Sequence, residues 1–284
     1  MSGNENTPKH ILVVDDEEAV RNVLARTYES EGFRVTGSED GEDALAKLAA
    51  DRFDLIVIDV WMPRMTGLEV LAKLKDKPDA PRSIVMTGDN TPATVMAAVR
   101  EHAFWYLSKP FTADDLLRLT RRVLASVSTA PPIEVLSGTP QWVELLVPCE
   151  REAAYRVHDF MLHMESELSE EARDSIGHAF RELLLNAIEW GGELDPSRRV
   201  RISCLRAKRI LVYRISDPGS GFRIDELPHA AVSNLPDDPT GHVEVREKMG
   251  LRPGGLGIMI AQAIVDELIY NEARNEVVFM KYLD

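Results

Sequence analysis

Between residues 9 and 127 short apolar runs alternate with longer amphipathic stretches. The runs at 11–14, 33–36, 55–58, 84–86 and 105–107 predict five strands, and the spacing of apolar residues predicts helices between or after them, such as 17–30 and 114–125. This alternation predicts βαβ units, hence a parallel sheet covered by helices on both faces. Gly32, Gly41, Pro63, Gly67, Gly88 and Pro110 mark the joins. The stretch from Ser126 is small and polar and runs into Pro131 and Pro132, which cannot continue a helix. It predicts a linker over 128–139, between a first domain at 1–127 and a second at 140–284.

Beyond the linker the order changes. A strand is expected at 142–147, helices at 150–168 and 170–190, strands at 199–207, 209–216 and 276–283, and a last helix at 257–269. Strands adjacent in sequence, with the helices grouped elsewhere, predict an α+β sandwich. At 284 residues the chain is long enough for two domains, each with its own core.

Charge and composition narrow the function. With 33 basic and 47 acidic residues the net charge is -14, which repels a phosphate backbone, so no nucleic-acid partner is expected. No apolar run approaches the roughly 20 residues needed to span a bilayer, and residues 1–10 carry no signal-peptide pattern, so no membrane partner and a cytoplasmic location are expected. Cys149 and Cys204 lack zinc or disulfide spacing and read as buried, inert thiols.

In an open parallel sheet, ligands sit outside the carboxyl ends of the strands. Here those ends carry Asp15 and Asp16 after the first strand, Asp59 after the third, Thr87 after the fourth and Lys109 after the fifth. Three carboxylates suit Mg²⁺, while a hydroxyl and an ammonium suit phosphoryl oxygens. The chemistry such a set permits is in-line phosphoryl transfer to a carboxylate, with Asp59 as nucleophile. Helix capping or strand ending explains any one of these residues, but not all five in order.

Asp15-Asp16, the stretch Asp59-Val60-Trp61-Met62-Pro63 with Gly67, Thr87-Gly88 and Lys109-Pro110-Phe111 together resemble the receiver domain of response regulators across the whole first domain. The resemblance implies a flavodoxin-like, doubly wound fold and Mg²⁺ on Asp15, Asp16 and Asp59. It also implies phosphate received from a cognate histidine kinase, and a switch through Thr87 and Tyr106. Glu101-His102 departs from the family's usual glycine turn.

In the second domain Glu182 and Asn186 lie four apart on one face of an apolar helix. Asp217-Pro218-Gly219-Ser220-Gly221-Phe222 follows a strand, where glycines permit close backbone approach and Asp217 is suited to accept from an adenine amino group. Gly254-Gly255-Leu256-Gly257 precedes a helix whose free amides suit phosphate. This ordered trio resembles the N box and two glycine boxes of the GHKL ATPases, and most of all the anti-sigma-factor serine/threonine kinases.

That resemblance implies a Bergerat fold binding ATP, with Asn186 on Mg²⁺, Asp217 on adenine, Gly219 and Gly221 beside the base, Gly255 and Gly257 near the phosphates, and Glu182 as general base. It further implies a lid over 234–253, with Arg246, Lys248 and Arg252 as candidate phosphate ligands, an anti-anti-sigma-type protein or a sigma factor as partner, and a homodimer. Two features depart from the superfamily's histidine kinases. No long helical hairpin precedes the N box to carry His158, His163 or His178 as a phospho-acceptor, and Trp190 stands where a histidine is often found. The expected function is a response regulator, phosphorylated on Asp59, that controls a serine/threonine kinase output. The alternative is an ATP-binding module that switches partner binding without phosphotransfer.

Overall fold

The computed structural model describes residues 8–89, 91–126, 131–139, 141–222, 241–248 and 256–283, with backbone alone at 241–242 and 245–246. The chain divides into two compact units, Met1–Ser128 and Thr129–Asp284.

The first unit runs β1 (His10–Val14), α1 (Glu18–Ser30), β2 (Arg34–Ser38), α2 (Gly41–Ala50), β3 (Leu55–Asp59), α3 (Gly67–Ala72), β4 (Arg82–Thr87), α4 (Pro92–Arg100), β5 (Trp105–Ser108) and α5 (Ala113–Ala125). All strand pairs are parallel, in the order β2-β1-β3-β4-β5, which is the flavodoxin-like order. Ile11–Val14 and Leu55–Ile58 are wholly buried, as continuous apolar runs must be when a sheet is covered on both faces. Capping boxes at Thr66/Glu69 and Thr112/Asp115 satisfy the free amides that open α3 and α5, and so fix where those helices begin.

The second unit runs β6 (Glu134–Thr139), β7 (Trp142–Pro148), α6 (Arg151–Met164), α7 (Glu170–Asn186), a π-helical turn (Ala187–Gly191), β8 (Arg199–Ala207), β9 (Ile210–Ser216), α8 (Gly241–Lys248), α9 (Gly257–Ile264), β10 (Glu267–Tyr270) and β11 (Glu276–Tyr282). Its antiparallel sheet has the order β10-β11-β9-β8-β7-β6. Alternate residues Val143, Leu145 and Val147, then Val200, Ile202 and Cys204, then Leu211, Tyr213 and Ile215, then Val277 and Phe279 are buried on one face. Helices α6 and α7 cover it with Val157, Phe160, Phe180 and Leu184. Tyr213 stacks on Phe279 at 4.8 Å and tilts against Phe180 at 5.3 Å, giving this core its aromatic centre. The architecture is the expected layering of an antiparallel sheet and helices.

Four local expectations change. Residues 134–139, assigned to the linker, form β6 against β7 with a register shift between Val135 and Ser137. An edge strand with Ser137 and Gly138 has little apolar alternation to betray it. The helix expected over 257–269 stops at Ile264, because Val265 turns extended and 267–270 pairs with β11, Leu268 opposite Phe279. The helix expected to 190 becomes a π turn after Asn186. The one expected to 168 ends at Met164, where Glu165 turns into the core.

Candidate functional sites

In the first unit, parallel register gathers the strand ends: Val14 lies opposite Ile58, Asp59 opposite Met86 and Thr87 opposite Ser108. The sequence-predicted residues therefore meet at one edge. Asp15 is 1 % exposed and Asp59 7 %. The Lys109 ammonium lies 3.0 Å from Asp15 Oδ2 and 2.7 Å from Asp59 Oδ1. The other oxygen of each carboxylate accepts a backbone amide, Glu17 N at 3.0 Å on Asp15 Oδ1 and Trp61 N at 3.0 Å on Asp59 Oδ2.

Burial raises the Asp59 pKa, and the Asp15 charge adds to this, while Lys109 and the Trp61 amide pull the other way. Burial works against charge on Lys109 too, but Asp59 and Asp15 outweigh it and raise its pKa. The result is one fixed cation between two buried carboxylates, a setting in which charge added to Asp59 meets a counter-charge already in place.

Asp16 is exposed, and among the described residues no three His, Cys, Asp or Glu side chains lie close enough together to hold a metal. The donors that do converge, Asp15 and Asp59, are hard oxygen ligands suited to Mg²⁺. Thr87 is fully buried, and its Oγ1 accepts from Asp89 N at 3.0 Å. The buried Tyr106 donates its hydroxyl to Asp89 O at 3.0 Å. Sequence reasoning missed Asp89, whose backbone ties the threonine to the tyrosine; no side-chain chemistry announces a role carried by an amide and a carbonyl.

In the second unit, a cavity of about 300 Å³ lies between α7, the π turn, the 217–222 loop, the start of α9 and the β10–β11 end of the sheet. That is the lower end of the size range of small-molecule sites. Glu182, Asn186, Asp217, Gly219, Gly221 and Gly257 all line it, together with apolar Ile215, Phe222, Tyr270 and Val277. The first residue of α9 packs directly on the Glu/Asn face: a Cβ on Gly257 would meet Glu182 Oε2 at 2.9 Å and Asn186 Nδ2 at 3.6 Å. Gly255 and Arg252 lie outside the described residues, as do the Arg246 side chain and most of 234–253. Lys248 is exposed, 3.6 Å from Glu244.

Asp217 is half-buried and its pKa is raised by burial, against the Gly219 amide and the Arg198 charge. Its Oδ1 accepts Gly219 N at 2.8 Å. The π turn explains how close the backbone comes, because a Cβ on Gly191 would fall 2.1 Å from the Asp217 carboxylate. The same turn carries Trp190, 43 % exposed, to the cavity wall. Burial pushes the Tyr270 hydroxyl up to about 12. Sequence reasoning passed over Gly191, Tyr270, Arg198 and Asn275, since only the folded sheet brings the β10–β11 turn to the Asp217 loop.

Family models match in two places: the response regulator receiver domain over residues 11–121 and the histidine kinase-like ATPase domain over residues 150–281. Response regulator MprA of Mycolicibacterium vanbaalenii is 40% identical over 117 residues, 41% of this chain and 51% of that protein. Response regulator MprA of Mycobacterium avium is 40% identical over 129 residues, 45% of this chain and 57% of that protein. The chain spans about half the length of the curated relatives it matches. The solved chemotaxis protein CheY4 of Vibrio cholerae is 31% identical, with 41% of this chain and 99% of that one covered at a TM-score of 0.40. The chain is a response regulator receiver domain followed by a histidine kinase-like ATPase domain.

Proposed function

We propose that this chain is a two-component response regulator in which a cognate histidine kinase phosphorylates Asp59, and that this controls an ATP-dependent serine/threonine kinase output of the anti-sigma kind. The partner proposed for the output is an anti-anti-sigma-type protein, a sigma factor, or both.

In the receiver, an Asp59 carboxylate oxygen attacks the phosphorus of the phosphohistidine. The P–O bond forms as the P–N bond breaks, and the imidazole leaves with its electron pair. Lys109 neutralises charge on the transferred group, and the Thr87 hydroxyl is a donor for a phosphoryl oxygen. Asp15 and Asp59, the two carboxylates that converge there, are the residues that would hold Mg²⁺, which when bound supplies further charge neutralisation. In the output domain Glu182 takes the proton from a substrate hydroxyl as its oxygen attacks the γ-phosphorus and ADP leaves. Asn186 would hold the metal of Mg-ATP, and Asp217 reads the base.

The observation that carries this reading is the convergence of Glu182, Asn186, Asp217 and the Gly257 backbone on one cavity. Calorimetry of Mg-ATP, with and without a beryllofluoride mimic of phosphorylated Asp59, tests both sites and their coupling. Binding that changes with the mimic supports the proposal, and absence of ATP binding refutes the output half of it. Labelled ATP with candidate partners then tests catalysis. Label on a partner serine or threonine, lost in Glu182→Gln, supports a kinase, and ATP binding without label across partners favours a binding module instead.

A further inference from the structure

The Asp217 loop does not hold itself in place. Its start is fixed by Asp217 N donating to Asn275 O at 2.9 Å, and Gly219 O accepts from Asn275 Nδ2 at 2.9 Å. One residue of the β10–β11 turn thus grips both ends of the three-residue stretch that carries the base-reading carboxylate. Between those ends, Pro218 O accepts from Arg198 Nη2 at 2.9 Å, and past them Phe222 N donates to Ala273 O at 3.2 Å. Gly221, at φ +86°, lies so close to the same turn that a Cβ there would fall 1.7 Å from Ala273 O.

The direction of the Asn275 amide is fixed by its neighbours. Asn271 Oδ1 accepts two backbone amides, Asn275 N at 3.1 Å and Glu276 N at 3.2 Å, so its Nδ2 must be the group facing Asn275, and it donates to Asn275 Oδ1 at 2.8 Å. That leaves Asn275 Nδ2 aimed at the Gly219 carbonyl. With the loop so held, Gly219 N occupies Asp217 Oδ1, and Oδ2 takes no hydrogen bond among the described residues.

We infer that Asn275 is a positioning residue for nucleotide specificity: by holding Asp217 N and Gly219 O together it aims the Asp217 carboxylate at the 6-amino group of a purine triphosphate. The inference rests on the ATP reading of this cavity and names the residue that makes it selective. A hydrogen bond to a charged group loses its advantage when its partner is free to swing, so removing the grip costs affinity only for a ligand that uses that bond.

The test uses the full chain and two probes, Mg-ATP and the Mg complex of purine riboside triphosphate, which lacks the 6-amino group. Wild type is expected to bind ATP at least tenfold more tightly. In Asn275→Ala the ATP affinity falls about tenfold while that of the analogue stays within about twofold. Asn275→Asp keeps the volume and the contact with Asn271 but sets an acceptor against the Gly219 carbonyl, and it collapses the preference as well. Thermal midpoints verify that both variants are folded. Equal weakening of both ligands in both variants, or an unchanged preference, overturns the inference while leaving ATP binding intact. Wild type that binds both equally overturns the inference alone, and wild type that binds neither nucleotide overturns the ATP reading and this inference with it.

Discussion

Gly67 offers a sharp test of how tightly the Asp59 site is built. A Cβ placed there would lie 2.1 Å from the backbone oxygen of Asp59 and 3.0 Å from its carbonyl carbon. Carbon and oxygen approach to about 3.3 Å without penalty, so a single methyl must push the end of β3 or the start of α3 by more than 1 Å. Neither side can give freely, because Gly67 N is bonded to Val60 O at 3.0 Å and Asp59 is paired with β4 opposite Met86. Overpacking of this kind costs about 1–3 kcal/mol. A displacement of about 1 Å at a reacting group slows transfer on the order of a hundredfold. Gly88→Ala is the control in the same unit, since nothing lies within 4 Å of its Cβ and the same methyl should cost less than about 0.5 kcal/mol. Guanidinium unfolding gives the stability of each variant, and phosphorylation by acetyl phosphate, resolved on phosphate-affinity gels, gives the rate. Wild-type stability and rate in Gly67→Ala, or equal losses in both variants, would refute the contact argument.

Three further outcomes are expected. Lys109→Met leaves Asp15 and Asp59 as uncompensated like charges; at pH 7 it should cost about 1–3 kcal/mol, below the figure for a fully buried pair because the Lys109 side chain is 28% exposed. That cost should shrink as acid protonates the carboxylates, and a constant difference from pH 7 to pH 4 would contradict it. Burial, with Arg181 nearby, lowers the His158 pKa from 6.5 to about 4, so between those values the unfolded chain binds a proton that the folded imidazole refuses. Stability should therefore fall as the pH is lowered through that window, and more steeply in wild type than in His158→Gln when urea midpoints are compared. Burial pushes the Cys149 thiol up to about 11, and both cysteines are buried and free. Iodoacetamide at pH 8 should label neither in the native chain and both in guanidinium, and rapid native labelling of Cys149 by mass spectrometry would contradict the packing.

Much of both sites was legible along the chain. Asp59 and Thr87 end, and Asp15 and Lys109 follow, a strand whose apolar run is unmistakable, and the carboxyl ends of parallel strands must share an edge. Glu182 and Asn186 share a helix face by their spacing alone, and the glycines at 219, 221 and 257 stand where backbone must come close to a neighbour. What stayed illegible depends on contacts between segments far apart in sequence. Strand β6 exists because β7 offers it an edge, and 267–270 is a strand rather than a helix because β11 pairs with it.

By itself, then, the sequence determined which residues carry chemistry and which local periodicity each segment follows, since side-chain identity and apolar spacing are properties of the chain. Tertiary structure alone decided that one ammonium bridges two carboxylates, that a π turn brings Gly191 against Asp217, and that Asn275 reaches back across 56 residues to hold Gly219. Those distances arise from sheet register and close packing, which set positions to a fraction of an ångström only once all the strands and helices are assembled.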